Sequence, residues 1–367
     1  MTRLCFFFTS CILGFLCLIS PGIASGQVAK QKRLIEFGWD EPDTAFMKAH
    51  ITEMENTPFE GCVFHINYTR TIGIPQSFLW EGWGKKSFAP EQLDQAINDL
   101  KTTKFHKFKH NFLRFNTTPA DLDWFDDYSS VVNNATLATH VAKEGGCKGI
   151  LFDVEEYKNA LFTYSKQRDR SSKSWDDYAL QARLRGKQVM EGFQKGYPDL
   201  IIFLTYGYGL PWDKSEEGRK SLESCDYGLL APFLDGMISA AKGKTRFIDG
   251  NESAYWYPTP GHFTKGKLKL QTNVRQIIEN PRKYSQLFTV SFGIWMDFNW
   301  REQGWNTKNL DKNPRSPKLL ENLLRKALSE ANEYLWVYTE TPRWWSASGK
   351  PEKLPLEYDA ALRNALK

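Results

Sequence analysis

The sequence predicts a single-domain α/β protein, a (β/α)8 TIM barrel, from three observations. Eight short apolar or β-branched runs recur along the chain. Amphipathic helical patterns lie between these runs. No Pro/Ser-rich linker or low-complexity tract divides residues 27–367. Because strand and helix patterns alternate eight times, they predict a parallel sheet, and eight parallel strands can close into a barrel.

Residues 1–26 have the layout of a secretory signal peptide. Arg3 precedes an apolar run from Cys5 to about Ile19, and small residues follow Pro21. We therefore expect residues 27–367 to form the mature barrel domain of a secreted or periplasmic protein. Retention of the leader as an anchor is the alternative. No later stretch is long and apolar enough to predict stable membrane insertion.

The eight predicted strands cover residues 34–39, 62–67, 111–116, 149–155, 200–206, 246–249, 289–297 and 334–340. Among the helices between them, residues 174–197 begin with a capping-box pattern, Ser174 followed by Asp177. The run 246–249 has the weakest strand pattern. Without it, seven strands would predict an incomplete barrel or an open doubly wound sheet. No G-x-G-x-x-G follows any strand, which disfavours a dinucleotide-binding fold.

Composition excludes several functional classes. Cys62, Cys147 and Cys225 are the cysteines beyond the leader, and this sparse set predicts neither a disulfide framework nor a cysteine zinc site. The net charge of +5 is spread along the chain, so no nucleic-acid partner is indicated. The pI near 8.7 is a weak indication of an anionic partner such as a charged polysaccharide. No HExxH or GxSxG motif occurs, and no cofactor is expected.

Charged, amide or aromatic side chains end almost every predicted strand. In a TIM barrel the C-terminal ends of the strands form one rim, where ligands bind. The sequence therefore predicts that these side chains converge, although strand ends are also polar simply because the chain leaves the core there. The rim candidates are Trp39, Asp40, His65, Asn67, Asn116, Asp153, Glu155, Tyr206, Asp249, Glu252, Trp295, Asp297 and Glu340.

The fourth strand carries two carboxylates, Asp153 and Glu155, on one face. Two close carboxylates repel each other, which raises the pKa of one and keeps it protonated. A carboxylic acid beside a carboxylate is the combination that cleaves a glycosidic bond. For Asp153, an ion pair with Arg114 is the alternative.

Aromatic residues cluster beside the later rim carboxylates. Asp249 and Glu252 precede residues 255–257, which are Tyr-Trp-Tyr, and Glu340 precedes the pair Trp344-Trp345. Aromatic faces pack against the apolar faces of sugar rings, but they also fill cores. Because sequence neighbours cannot easily both point inward, we expect the Trp344-Trp345 pair to form part of a sugar-binding platform.

With these motifs the chain resembles the TIM-barrel glycoside hydrolases, above all bacterial secreted members with an Asp-x-Glu motif after strand four and an acidic residue late in the barrel. The Asp153-x-Glu155 pattern is similar to the strand-four motif of chitinase-like barrels, without their longer run of spaced Asp residues. The Asn-Glu pair of the largest retaining clan is absent. The identity of the acid/base residue, and retention or inversion, therefore stay open.

The residues and the resemblance together predict a glycosidase with a carbohydrate substrate. Its catalytic groups are expected among Asp153, Glu155, Asp249, Glu252 and Glu340, with Glu155 as general acid and Glu252 or Glu340 as its partner. The expected substrate-binding residues are Trp39, Asp40, His65, Asn67, Asn116, Tyr206, Tyr255, Trp295, Asp297 and Trp344. The alternatives are a catalytically inactive carbohydrate-binding barrel and a metal-assisted hydrolase, because rim carboxylates could hold a divalent cation.

N-glycosylation sequons at Asn67, Asn116 and Asn251 coincide with predicted strand ends, and a fourth begins at Asn134. A glycan at a strand end would block the predicted site. The pattern is therefore consistent with an exported bacterial protein whose host leaves these sites unmodified.

Overall fold

Eight parallel strands stand at the centre of the computed structural model, which describes Met1 and residues 31–69, 75–346, 349–351 and 354–367. Residues 2–26 of the predicted signal peptide lie outside the described residues. The strands are β1 Arg33–Gly38, β2 Val63–Phe64, β3 Phe112–Asn116, β4 Gly149–Asp153, β5 Ile201–Leu204, β6 Arg246–Asp249, β7 in two segments, Phe288–Val290 and Gly293–Trp295, and β8 Tyr334–Thr339.

The strands close into a barrel through the interruption in β7. Its first segment pairs with β6, and its second pairs with β8, which pairs with β1. At the interruption the Ser291 N–H donates to the Asp249 carbonyl (2.8 Å), while the Phe292 carbonyl accepts from the Trp336 N–H (3.3 Å). A parallel β-bridge between Glu36 of β1 and Cys62, the residue before β2, connects these two strands and completes the barrel. The predicted (β/α)8 TIM barrel is confirmed.

Helices surround the barrel and are connected to the strands by the rim loops. They are α1 Thr44–Met54, α2 Asp94–Thr102, α3 Ser129–Glu144, α4 Trp175–Gly196, α5 Gly209–Lys214, α6 Leu230–Ala240, α7 Gly261–Gln271, α8 Pro281–Leu287, α9 Trp300–Gln303, α10 Pro317–Glu330 and α11 Leu356–Ala365. The predicted capping box of α4 is confirmed, since the Ser174 hydroxyl accepts from the Asp177 N–H at 3.2 Å. In the described part of the chain, no helix has the length and apolar character needed to cross a membrane.

Large side chains fill the inside of the barrel. Phe112 packs edge-on against Phe203 and Tyr334, with ring centroids 5.4 and 5.5 Å apart. Nearer the C-terminal ends of the strands, the buried Trp336 donates from its indole N–H to the Gly250 carbonyl at 2.9 Å. Because these rings occupy the interior, the space for a ligand lies above them, at the C-terminal rim.

The close approach of β4 to β5 requires a glycine at position 149. A Cβ on Gly149 would lie 1.9 Å from the Ile201 carbonyl oxygen, a backbone atom that cannot rotate away. We expect Gly149→Ala to lower the free energy of unfolding by about 3 kcal/mol in urea titrations. Gly261→Ala, whose added Cβ meets nothing within 4 Å, is the matched control. Equal stability of the two variants would contradict this packing.

Candidate active site

A cavity of about 670 Å³ opens at the C-terminal rim. Several side chains predicted from the strand ends line it: Trp39, His65, Glu155, Tyr206, Glu252, Tyr255, Trp295 and Glu340. The lining also includes side chains outside the predicted set: Glu41, Trp80, Arg114, Tyr157, Trp256, Arg301 and Tyr338. The rim of the barrel therefore brings together residues from both halves of the sequence.

Two glutamates meet in this cavity. Glu155 follows β4, and Glu252 follows β6 after Asn251, which adopts a left-handed conformation (φ 42°) that turns the chain. Both side chains line the cavity, and burial and the negative charge of Glu155 raise the pKa of Glu252. Because two ionised carboxylates repel each other, one member of such a pair retains its proton to a higher pH than an isolated carboxyl group.

The surroundings place that proton on Glu252. Burial, followed by the negative charges of Glu155 and Asp153, raises the pKa of Glu252 well above its ordinary value. Burial and the charge of Asp153 also raise the pKa of Glu155, but the neighbouring Tyr157, Glu252 and Arg114 side chains act in the opposite direction. Of the two carboxyl groups, Glu252 is therefore the one that retains its proton to the higher pH.

Arg114, which lies in β3, holds the carboxylate of Asp153. Its Nε and Nη2 donate to the same Asp153 oxygen at 3.1 and 2.6 Å, and the Tyr157 hydroxyl donates to that oxygen at 2.9 Å. The other Asp153 oxygen accepts from the Glu155 N–H at 3.1 Å. The ion pair considered for Asp153 is therefore present, and the fully buried Asp153 fixes the backbone that carries Glu155.

The same guanidinium binds a second carboxylate, Glu41. Arg114 Nη1 donates to Glu41 at 2.8 Å, and His65 Nδ1 lies 3.6 Å from the other Glu41 oxygen. Burial alone would raise the pKa of Glu41, but Arg114 and His65 outweigh it and lower that pKa. Glu41 is therefore an ionised residue of the cavity lining.

The Glu340 carboxylate accepts three side-chain hydrogen bonds. Its carboxylate accepts from the Trp300 indole N–H (2.7 Å), Arg301 Nη2 (2.7 Å) and the Tyr338 hydroxyl (2.9 Å). The Arg301 guanidinium also lies over the Trp39 ring, 5.1 Å from its centroid. A carboxylate held by three donors is a poor nucleophile, so the geometry favours Glu252 over Glu340 as the partner of Glu155.

Asp249 and Asp297 lie outside the cavity lining and shape the loops of the rim. Asp249 accepts from the N–H groups of Gly207 (3.3 Å) and Asn251 (3.0 Å), which fixes the turn before Glu252. Asp297 accepts from the Glu340 N–H at 3.1 Å and is fully buried. Burial raises the pKa of each aspartate to about 6.

Asn67 and Asn116 are also absent from the lining. Asn67 begins a hairpin strand, Asn67–Thr69, and donates to the Asp43 carboxylate at 2.8 Å. Asn116 is fully buried at the end of β3.

The Trp344-Trp345 pair does not form the expected platform. Both indoles are buried, with 1% and 2% of their surfaces exposed. Asp40 makes this possible, because its carboxylate accepts from the Trp344 N–H and its carbonyl accepts from the Trp345 indole N–H, both at 2.6 Å. Trp344 then packs edge-on against Phe59, with centroids 4.6 Å apart. The assumption that sequence neighbours could not both be buried was wrong.

The exposed aromatic side chains are concentrated at the cavity. Among the described residues, the exposed Trp and Tyr side chains are Trp39 (52%), Trp80 (39%), Tyr157 (43%) and Trp256 (65%). All four line the cavity. Exposed aromatic surface that is confined to one cleft is typical of a ligand-binding site.

The described residues contain no group of three or more His, Cys, Asp or Glu side chains arranged to hold a metal ion. Several rim carboxylates instead contact arginines or backbone N–H groups.

No model of a known protein family matches the sequence, and no curated protein matches it. Among solved structures, the chain is similar to an endocellulase from Pyrococcus horikoshii in complex with cellotetraose, with 9% identity, a TM-score of 0.45 and coverage of 93% of each chain. It is also similar to a psychrophilic family 10 endo-β-1,4-xylanase, with 9% identity, a TM-score of 0.47 and coverage of 90% of this chain and 96% of that one.

A third similar structure is a family 5 glycoside hydrolase from Prevotella bryantii B14 in complex with a xyloglucan tetradecasaccharide, with 8% identity, a TM-score of 0.49 and coverage of 89% and 87%. Likeness at this level does not assign an activity. The function is therefore argued from the residues of the cavity.

Proposed function

We propose that this protein is a glycoside hydrolase in which Glu252 is the general acid/base and Glu155 the nucleophile. One observation carries the proposal: two carboxyl groups, those of Glu155 and Glu252, line one cavity together with exposed aromatic rings, and burial raises the pKa of Glu252 well above its ordinary value. The roles are the reverse of those expected from the sequence, because the local charges favour the proton on Glu252.

The chemistry proceeds in two steps. The Glu252 carboxylic acid gives its proton to the glycosidic oxygen while the Glu155 carboxylate attacks the anomeric carbon, so the carbon–oxygen bond breaks and a glycosyl ester of Glu155 forms. The Glu252 carboxylate then takes a proton from water, and the resulting hydroxide displaces Glu155. This restores the starting protonation of both glutamates. Asp153, anchored by Arg114, holds the Glu155 backbone throughout.

The exposed aromatic rings supply the binding surface for sugar rings. Trp256, the most exposed of them, packs edge-on against Phe298 with centroids 5.2 Å apart, which holds its face in place. We expect Trp256→Ala to raise KM by up to about tenfold, the effect of losing one stacking contact, with little change in kcat. Leu180→Ala, which removes an equally solvent-facing apolar side chain on α4, is the control. A fall in kcat alone would contradict a binding role.

The proposed roles of Glu155 and Glu252 predict a bell-shaped dependence of kcat/KM on pH. As the pH falls, Glu155 takes up a second proton and the nucleophile is lost; as the pH rises, Glu252 loses its proton and the acid is lost. Because burial raises the pKa of both groups above the ordinary 4.5, we expect the acid limb above that value. The profile should lose its alkaline limb in the residual activity of Glu252→Gln. An unchanged alkaline limb would assign it to another group.

The proposal is tested by a screen of the mature protein on polysaccharides and aryl glycosides, with and without a chelator. Release of reducing ends that is insensitive to the chelator supports the carboxylate mechanism. Sensitivity to the chelator would instead favour the metal-assisted hydrolase. Binding of polysaccharide without release of reducing ends would favour the carbohydrate-binding barrel.

A further inference from the structure

Both guanidinium groups that line the cavity are neutralised by carboxylates of the protein. Arg114 contacts Glu41 at 2.8 Å and Asp153 at 2.6 Å. Arg301 contacts Glu340 at 2.7 Å. Among the described residues, no lysine lines the cavity. No described cation is therefore left to pair with a carboxylate or sulfate on a sugar.

The remaining charge of the cavity is negative. With one proton on the glutamate pair, three carboxylates of the lining and the buried Asp153 face two guanidinium groups. An anionic sugar would have to lose its hydration next to this negative charge without gaining an ion pair, which costs binding free energy. Neutral hydroxyl groups carry no such penalty.

We infer that the site takes a neutral sugar chain and excludes uronate and sulfated chains, with Glu340 as the specificity-determining residue that neutralises Arg301. The inference rests on the proposed function only in taking the cavity as the substrate site. The pI near 8.7 indicated an anionic partner such as a charged polysaccharide. The inference is the opposite, because the net positive charge of the protein does not lie at the cavity.

Glu340 determines specificity because Arg301, its ion-pair partner, is more accessible to a ligand than Arg114. The Arg301 side chain is 53% exposed, whereas that of Arg114 is 10% exposed and clamped between two carboxylates. Removing the charge of Glu340 leaves a guanidinium beside Trp39 that can form a charge-assisted hydrogen bond with an anionic sugar. A glutamine at position 340 keeps an oxygen that can accept from Tyr338.

The test measures binding without cleavage, in the Glu252→Gln background, by calorimetry at low salt. The probes are cellohexaose, xylohexaose and mannohexaose as neutral chains, and hexagalacturonate as the anionic chain. At least one neutral probe is expected to bind about tenfold or more tightly than hexagalacturonate. Adding Glu340→Gln should tighten hexagalacturonate binding about tenfold in a salt-sensitive manner, and a further Arg301→Gln should abolish that gain.

Hexagalacturonate binding as tight as that of every neutral probe would overturn the inference, as would failure of all neutral probes to bind. If Glu340→Gln fails to fold by circular dichroism, the comparison of probes in the parent variant still decides. Glu321→Gln, which breaks a surface pair with Arg325 on α10, controls for nonspecific effects of removing a charge. Neutral binding without turnover by the wild type would refute the proposed hydrolase and leave this inference standing.

Discussion

Replacing Glu252 with glutamine is expected to lower kcat by about 10³-fold or more, since general acid catalysis contributes about 10²–10⁴-fold. Glutamine keeps the shape of the side chain but has no acidic proton to give to the leaving oxygen. KM should change little, because the aromatic walls of the cavity remain. Initial rates on the best substrate from the screen measure the effect.

Glu155→Gln should have an effect at least as large, because it removes the nucleophile. Glu53→Gln, an exposed position on α1, is the control and should retain full activity. Added azide should restore part of the activity of a Glu155→Gly variant by entering the space of the lost carboxylate. Wild-type rates in either glutamine variant would exclude that residue from the chemistry.

Replacing Arg114 with methionine is expected to destabilise the protein by about 3–5 kcal/mol, the cost of leaving buried carboxylates without their cation. The Asp153 side chain is fully buried and that of Glu41 is 9% exposed, so neither charge is well hydrated. Urea titration at neutral pH measures the loss.

A second substitution identifies the cause of this loss. Asp153→Asn in the Arg114→Met background removes one of the two uncompensated charges and should recover part of the stability. At low pH, where carboxylates take up protons, the penalty of Arg114→Met should shrink as well. A loss independent of pH, with no recovery in the double variant, would assign the effect to packing instead.

The fold could be predicted because each strand is a short apolar run between amphipathic helices. Even the weakest pattern, residues 246–249, forms the strand Arg246–Asp249. The interruption of β7 could not be predicted from the run 289–297. It arises because Ser291 and Phe292 bond to different neighbouring strands when the barrel closes, which is a property of the whole sheet.

The position of the candidate site could be predicted from strand ends, but the function of each carboxylate could not. Asp249 and Glu252 are three residues apart, yet Asp249 accepts backbone N–H groups outside the cavity and Glu252 lines it. The pairing of Arg301 with Glu340 joins α9 to the segment after β8, 39 positions away, and has no local signal. Alternation along β3 was the available signal for Arg114, which is two residues before the predicted Asn116.

The stereochemistry of the product tests the central role of the Glu155–Glu252 pair most directly. An inverting enzyme needs its carboxyl groups about 6.5–9.5 Å apart to admit a water, whereas a retaining enzyme brings them to about 5–5.5 Å. Because Glu155 and Glu252 line the same cavity, where burial and the charge of Glu155 raise the pKa of Glu252, we assign them the close spacing of a retaining pair, and proton NMR of the first product released by the wild type should show the anomeric configuration of the substrate. Release of the opposite anomer would contradict the assignment of these two glutamates as the catalytic pair.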